Sequence, residues 1–279
     1  MWPHAACGGC ETGGTAQNEK GKLSLTRLAP ELTPVSDYTG DIWHRSTLLG
    51  DLGGKRQDLY ENYGIMFDAA LTQVLQGVSS GGSDSGDTAY TGLLDYGLSL
   101  DTGKMNLWPG GLFTFNAQTG FASGLPLETG TVSPANFTAI YPTTDKPDTQ
   151  LMEYYWTQAL SEDLVLIGGR LNAVNFLDRN RFANDPRNQF LNLSMNNDPL
   201  FGAFISFSTV GVLASWKIRE NFSINPGVFD PNLQPGDNNL DDLFSDVGVA
   251  AEANLTWKLG ANLDGTFRPV GIYVNKETF

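Results

Sequence analysis

Residues 90–101 read YTGLLDYGLSLD. Tyr90, Gly92, Leu94, Tyr96, Leu98 and Leu100 fall on one phase, and Thr91, Asp95, Ser99 and Asp101 on the other, with Leu93 the exception. Successive side chains of an extended chain point to opposite faces, so this segment has one apolar, aromatic face and one acidic face. Residues 247–258, VGVAAEANLTWK, split the same way: Val247, Val249, Ala251, Ala253, Leu255 and Trp257 stand against Gly248, Ala250, Glu252, Asn254, Thr256 and Lys258. A strand with lipid on one side and water on the other needs this pattern. A sandwich strand with one solvated face carries it too, and alternation alone does not choose between them.

Composition narrows the classes. The 279 residues suffice for one large domain or two small ones, and 32 glycines with only 17% charged residues suit a turn-rich all-β chain. Seventeen Lys and Arg against 31 Asp and Glu give a net charge of −14, which argues against a nucleic-acid partner, because phosphate binding needs clustered cations. No run of about 18 apolar residues is present, so a transmembrane helix is excluded. A bilayer can also be crossed by a closed barrel whose strands of about 9 to 11 residues pair every backbone group.

Further strands are expected near 65–74, 112–118, 152–160, 164–171, 211–219, 222–229 and 266–274, about nine in all. The links at 161–163 and 220–221 are short, whereas 119–150 and 172–200 are long. Short turns at one rim and long loops at the other are the outer-membrane arrangement.

The stretch 43–68, WHRSTLLGDLGGKRQDLYENYGIMFD, adds a more specific signal. Trp43, the turn Gly50-Asp51-Leu52-Gly53-Gly54-Lys55-Arg56, the segment 57–63 and Gly64-Ile65-Met66-Phe67-Asp68 follow in order. Downstream come Leu100-Asp101 with Lys104, then Leu107-Trp108-Pro109-Gly110-Gly111, Glu153-Tyr154-Tyr155-Trp156, Gly168-Gly169-Arg170 and Asn225-Pro226-Gly227. This succession resembles the carbohydrate-selective porins of bacterial outer membranes, from about Trp43 to about Val274. The resemblance implies a transmembrane antiparallel up-and-down β-barrel of the 16-strand type with a short N-terminal helix. About nine strands then correspond to the N-terminal half or slightly more, and the chain is expected to be incomplete at its C-terminus. The expected organisation is a disordered or leader-remnant segment over 1–40, a periplasmic turn and short helix over 41–64, and barrel over 65–279. Residues 1–20 lack a basic region followed by an apolar one. Cys7 and Cys10 with His4 lack the further ligands that zinc requires, so no metal is expected.

The resemblance also implies passive diffusion of sugars across the bacterial outer membrane, with no cofactor and no enzymatic activity. Sugars and outer-membrane lipid are the implied partners, and a homo-oligomer is compatible with it. In a pore the chemistry is selection by groups lining a constriction. On the fourth strand Glu153, Tyr155 and Thr157 share a phase opposite Met152, Tyr154 and Trp156, which points Glu153 inward. On the fifth, Leu164, Leu166, Gly168 and Arg170 share a phase, and Arg170 facing lipid would cost several kcal/mol near the midplane, about 2 to 4. Asp95, Asp101, Lys104, Glu153, Arg170 and Glu252 are therefore the candidate pore-lining residues. Many inward charges merely pair across strands and stiffen a wall, and about half of the six are expected to do so. Arg56 and Asp51 are expected to tie the N-terminal turn to the barrel. Trp108, Tyr154, Trp156, Trp216 and Trp257 read as an interfacial girdle. Two other readings remain at this stage: a secreted or surface β-sandwich that binds glycans without a channel, and a glycoside hydrolase pairing Glu153 with Asp101 or Glu252.

Overall fold

A computed structural model of the chain describes residues 41–43, 47–83, 86–122, 135–136, 138, 149–180, 182–233, 242–260 and 263–275. The segment 1–40, with His4, Cys7 and Cys10, lies outside the described residues.

Helix α1 (Lys55–Tyr63) leads into strands β1 (Ile65–Gly77), β2 (Thr88–Asp101), β3 (Gly111–Ala122), β4 (Thr149–Ala159) and β5 (Leu164–Leu171). Three short helices follow, α2 (Val174–Leu177), α3 (Leu193–Asn196) and α4 (Pro199–Phe204). Strands β6 (Thr209–Arg219), β7 (Phe222–Phe229), β8 (Val247–Leu259), β9 (Leu263–Phe267) and β10 (Val270–Asn275) complete the described elements. Each strand from β1 to β8 pairs antiparallel with its neighbour in the chain, and β9 and β10 both pair with β8. The result is one up-and-down sheet, open between its first and last strands. A sandwich needs two facing sheets, so the sandwich reading is overturned.

β9 and β10 are one strand interrupted. Leu263–Phe267 lies against Leu259–Leu255 and Val270–Asn275 against Glu252–Val247, along one edge of β8. Pro269 sits in the gap, has no N–H to give to the ladder, and offers only its carbonyl, which accepts from Ala253 N–H at 3.0 Å. The described wall is therefore nine strands wide, the number that the sequence pattern led us to expect.

The outer face is the apolar phase of the sequence. Leu100, Phe113, Trp156, Gly168, Val212, Val228, Val249 and Tyr273 are successive register partners and form one row across the sheet. Trp108, Trp156, Trp216 and Trp257 are all exposed and lie at or near the rim with the short turns, while Tyr154 is half-buried. Among the described residues no helix is long and apolar enough to cross a membrane.

The core lies on the other face. Val165, Ile167, Leu213, Phe229 and Ala250 of the wall pack with Ala173, Val174, Phe176, Leu177, Phe201 and Ile205 from the connection between β5 and β6. Burying a side chain such as Phe201 contributes roughly 1.5–3 kcal/mol, which is what holds this long connection inside the curve of the sheet.

Strict alternation fails at two places on this face, and both alter the expected orientation of side chains. On β4, Asn116 faces Glu153 but Ala117 faces Leu151, so Met152 is an extra residue in a bulge. Met152 is consequently buried beside Glu153 instead of pointing out with Tyr154 and Trp156. On β5, Val165 and Ile167 point inward while Leu164 and Leu166 are half-exposed, the reverse of the expected phase. Arg170 nevertheless ends buried, because Gly169 has φ +137° and breaks the alternation between them. An added Cβ on Gly169 would come within 2.5 Å of the Tyr154 carbonyl oxygen, so only glycine fits.

At the short-turn rim α1 is fastened by side chains. Gly64 ends the helix in the left-handed conformation, with φ 69°, and its carbonyl accepts from Asp101 N–H at 2.8 Å. Arg56 donates to the Phe67 carbonyl and pairs with Asp68. Asp51 stays within the N-terminal turn, accepting from Gln57 N–H at 2.8 Å, so the tie to β1 runs through Arg56.

Candidate functional site

The site is made where the connection 172–208 lies across the inner face. Its entry and exit are pinned at the end of β5. Asn172 N–H reaches the Glu153 carboxylate at 3.4 Å, and Arg170 Nε donates to Ser208 Oγ at 2.7 Å. Ser208 Oγ passes the chain of bonds on to the Met152 carbonyl at 2.6 Å. Arg170 is only 1% exposed and holds the exit of the connection, while Glu153 holds its entry.

Midway, Asp185 shapes a tight turn by accepting from Arg187 N–H at 2.9 Å, Asn188 N–H at 3.1 Å and Asn188 Nδ2 at 2.7 Å. That turn aims Arg187 back at the first strands. Its Nε donates to Thr72 Oγ1 of β1 at 2.7 Å, and its guanidinium pairs with Asp95 of β2. Asp95 also accepts from Gln118 Nε2 of β3 at 2.5 Å. On the opposite side Arg268, in the break between β9 and β10, donates to the Arg179 carbonyl. One connection is thus fixed to both sides of the sheet. Within it, burial pushes the Asp178 carboxyl above its ordinary 3.8, against the hydrogen bond that it accepts from Asp198 N–H at 2.7 Å.

Among the described residues, two recesses open on the inner face. The smaller, of about 50 Å³, is bounded by Asp95, Gln118, Glu153, Asn172 and Arg187, with Leu93, Met152 and Phe207 as its apolar side. The larger, of about 300 Å³, opens toward the short-turn rim and carries Glu252 with Arg179, Arg268, Asn225 and Asn254.

The six residues singled out in the sequence are distributed accordingly. Asp95 and Glu153 share the smaller recess, and Glu252 lines the larger one, 3% exposed and accepting from Asn225 Nδ2 at 3.1 Å. Asp101 and Lys104 are brought together at the short-turn rim, away from both recesses. Asp101 Oδ1 accepts from Gly103 N–H and Lys104 N–H at 2.9 and 3.1 Å, and Lys104 Nζ reaches Glu61 Oε2 of α1 at 2.6 Å, 4.3 Å from the centre of the Tyr60 ring. Glu153, Asp101 and Glu252 do not face one another across a common cleft, which leaves the hydrolase pairing without its geometry. Among the described residues no group of three His, Cys, Asp or Glu is placed to hold a metal.

Sequence reasoning missed Arg187, Arg179 and Arg268. A signal existed for two of them: Arg179, Arg181 and Arg187 crowd into one long connection of a chain that has only 17 cations. Which strand each would reach depends on the path of that connection, and the strand pattern does not contain it.

Comparison with known proteins decides the family. The model of the carbohydrate-selective porin, OprB family, matches residues 85–278. The chain belongs to this porin family. The high-pH structure of Pseudomonas putida OprB superposes with a TM-score of 0.65 at 18% identity, covering 81% of this chain and 56% of that one. The low-pH structure of the same porin gives a TM-score of 0.48 at 15% identity, covering 81% and 60%. This chain therefore spans somewhat more than half the length of the solved porin, and the likeness supports the up-and-down porin wall. No curated protein matches the chain.

Proposed function

We propose that the chain forms wall and constriction of a bacterial outer-membrane channel that admits sugars by passive diffusion. The observation that carries this reading is the small polar gap bounded by Asp95, Glu153 and Arg187, behind a wall whose outer face is apolar. A carboxylate pair with a guanidinium opposite offers acceptors and donors in the spacing that hydroxyl groups use, and the flanking Phe207 and Leu93 suit a sugar's C–H face. Selection then comes from matching hydrogen bonds in a narrow passage. No bond is made or broken, and the solute gradient supplies the drive.

In this reading Asp95, Glu153 and Glu252 line the path, Arg187 narrows it, and Arg170 positions the connection. Asp101 and Lys104 hold α1 at the periplasmic rim. The exposed tryptophans sit in the headgroup zone, where an apolar ring with one polar N–H is most stable.

The test is solute-driven swelling of liposomes containing the full-length protein. Neutral hexoses are expected to enter faster than salts of similar size. Liposomes that stay unswollen in every sugar would overturn the channel.

A further inference from the structure

We infer that the recess at the short-turn end of the inner face is a second binding station for a neutral polyhydroxylated solute, built on Glu252, Asn225, Asn254 and Arg268. The inference rests on the channel reading and adds to it a site separate from the gap at Arg187.

The first observation is a set of buried polar atoms left without partners. Among the described residues, Asn225 Oδ1, Asn254 Oδ1 and Arg268 Nε are buried and make no hydrogen bond. The Asn225 orientation is fixed, because its Nδ2 donates to Glu252 Oε1 at 3.1 Å, which leaves the carbonyl oxygen as the unused end. Leaving such a group buried and unpaired is unfavourable, and all three belong to residues that line the one recess.

The register explains why they meet. Asn225 faces Glu252 and Ser223 faces Asn254 across the β7–β8 ladder, so the two amides and the carboxylate lie on the same inward phase. Arg268 enters beside them because Pro269 interrupts the last strand there. The interruption is what lets a guanidinium reach the cavity between two ladders.

Ligand class follows from charge and shape. The residues around the recess carry four acids, Glu162, Asp163, Glu220 and Glu252, and four cations, Arg179, Lys217, Arg219 and Arg268. They cancel, in a chain whose net charge is −14. A metal ion would meet guanidinium groups, and an anion would meet Glu252. A hydroxyl donates to the amide oxygens and the carboxylate and accepts from Arg268 Nε. The volume of about 300 Å³ is at the lower end of small-ligand cavities, roughly 300–1,000 Å³, and Phe176 and Phe222 give it aromatic walls.

The experiment is saturation-transfer NMR and calorimetry on the full-length protein in detergent, with glucose and maltose as probes and glucose 6-phosphate and Ca²⁺ as charged comparisons. Wild-type protein should bind the neutral sugars in preference to both charged probes. Asn254→Ala should weaken sugar binding at least fivefold, and Glu252→Gln, which keeps shape and folding, should do the same. Glu61→Gln, at the rim and outside both recesses, should leave sugar binding unchanged. Equal sugar binding by wild type, Asn254→Ala and Glu252→Gln would overturn the station, as would absence of sugar binding or preference for a charged probe. Liposome swelling judges the channel separately, so a working channel with no effect at Glu252 or Asn254 discards the station alone.

Discussion

Asp95 and Asp101 stand on the same face of the same strand, six residues or about 20 Å apart, and have different duties. At the short-turn rim Asp101 accepts backbone N–H groups of its own turn, and the neighbouring Lys104–Glu61 pair fastens α1. Deeper in the sheet Asp95 meets Arg187, which arrives from 92 residues along the chain. The charge pairs of the rim are local and hold an element in place. Those of the interior are distant in sequence and tie the connection between β5 and β6 to the wall. Alternation identifies an inward carboxylate equally well in both cases, and only the origin of its partner separates a local anchor from a long-range tie.

Four substitutions test that contrast. The largest effect is expected from Gly169→Ala, because the new Cβ would press on the β4 backbone at a φ that suits glycine alone. It should destabilise the fold by on the order of 3 kcal/mol, read as a lower temperature for loss of the SDS-resistant form. An unchanged temperature would mean that Arg170 reaches the interior by another route. Arg170→Met comes next, with about 2–3 kcal/mol lost as Ser208, at the exit of the connection, loses its buried partner. Limited proteolysis should then cut within 172–208, and resistance there would deny that hold.

Arg187→Ala is expected to cost the fold less than about 1 kcal/mol, since its pair with Asp95 is partly exposed. Its effect should appear in transport: single-channel conductance roughly doubles as the gap loses its guanidinium. Conductance equal to wild type would remove Arg187 from the passage. The smallest effect belongs to Glu61→Gln at the rim, under about 1 kcal/mol and with conductance unchanged. Burial pulls the Lys104 ammonium down from its ordinary 10.5, but the hydrogen bond to Glu61, with Tyr60 and Asp101 nearby, raises it further. That stabilisation is complete below 10.5 and fades as pH rises through the higher folded value, so wild type should lose stability there and Glu61→Gln should lose less. Parallel alkaline unfolding of the two proteins would show that the pair contributes nothing.

Much of the wall was legible because period-two patterning is a direct consequence of strand geometry: 90–101 and 247–258 fall within β2 and β8 with the expected faces. The orientations that failed, Met152 and the Val165–Ile167 phase, failed at a bulge and at a glycine of unusual φ. Each shifts the count by one residue without leaving a mark in hydropathy. The interior was less legible. Asp95, Glu153 and Glu252 were readable as inward carboxylates, but Arg187 and Arg268 were not, since one depends on how a loop packs and the other on where a proline breaks a ladder.

Because the connection between β5 and β6 is held by Thr72 and Asp95 on one side and by Arg268 on the other, it acts as a spoke. A twisted sheet has no inherent radius, and one that is bonded across its own chord acquires it from the length of the tie. Shortening or lengthening 172–208 should therefore alter how tightly the strands curve, so that a single loop governs the calibre of the whole wall.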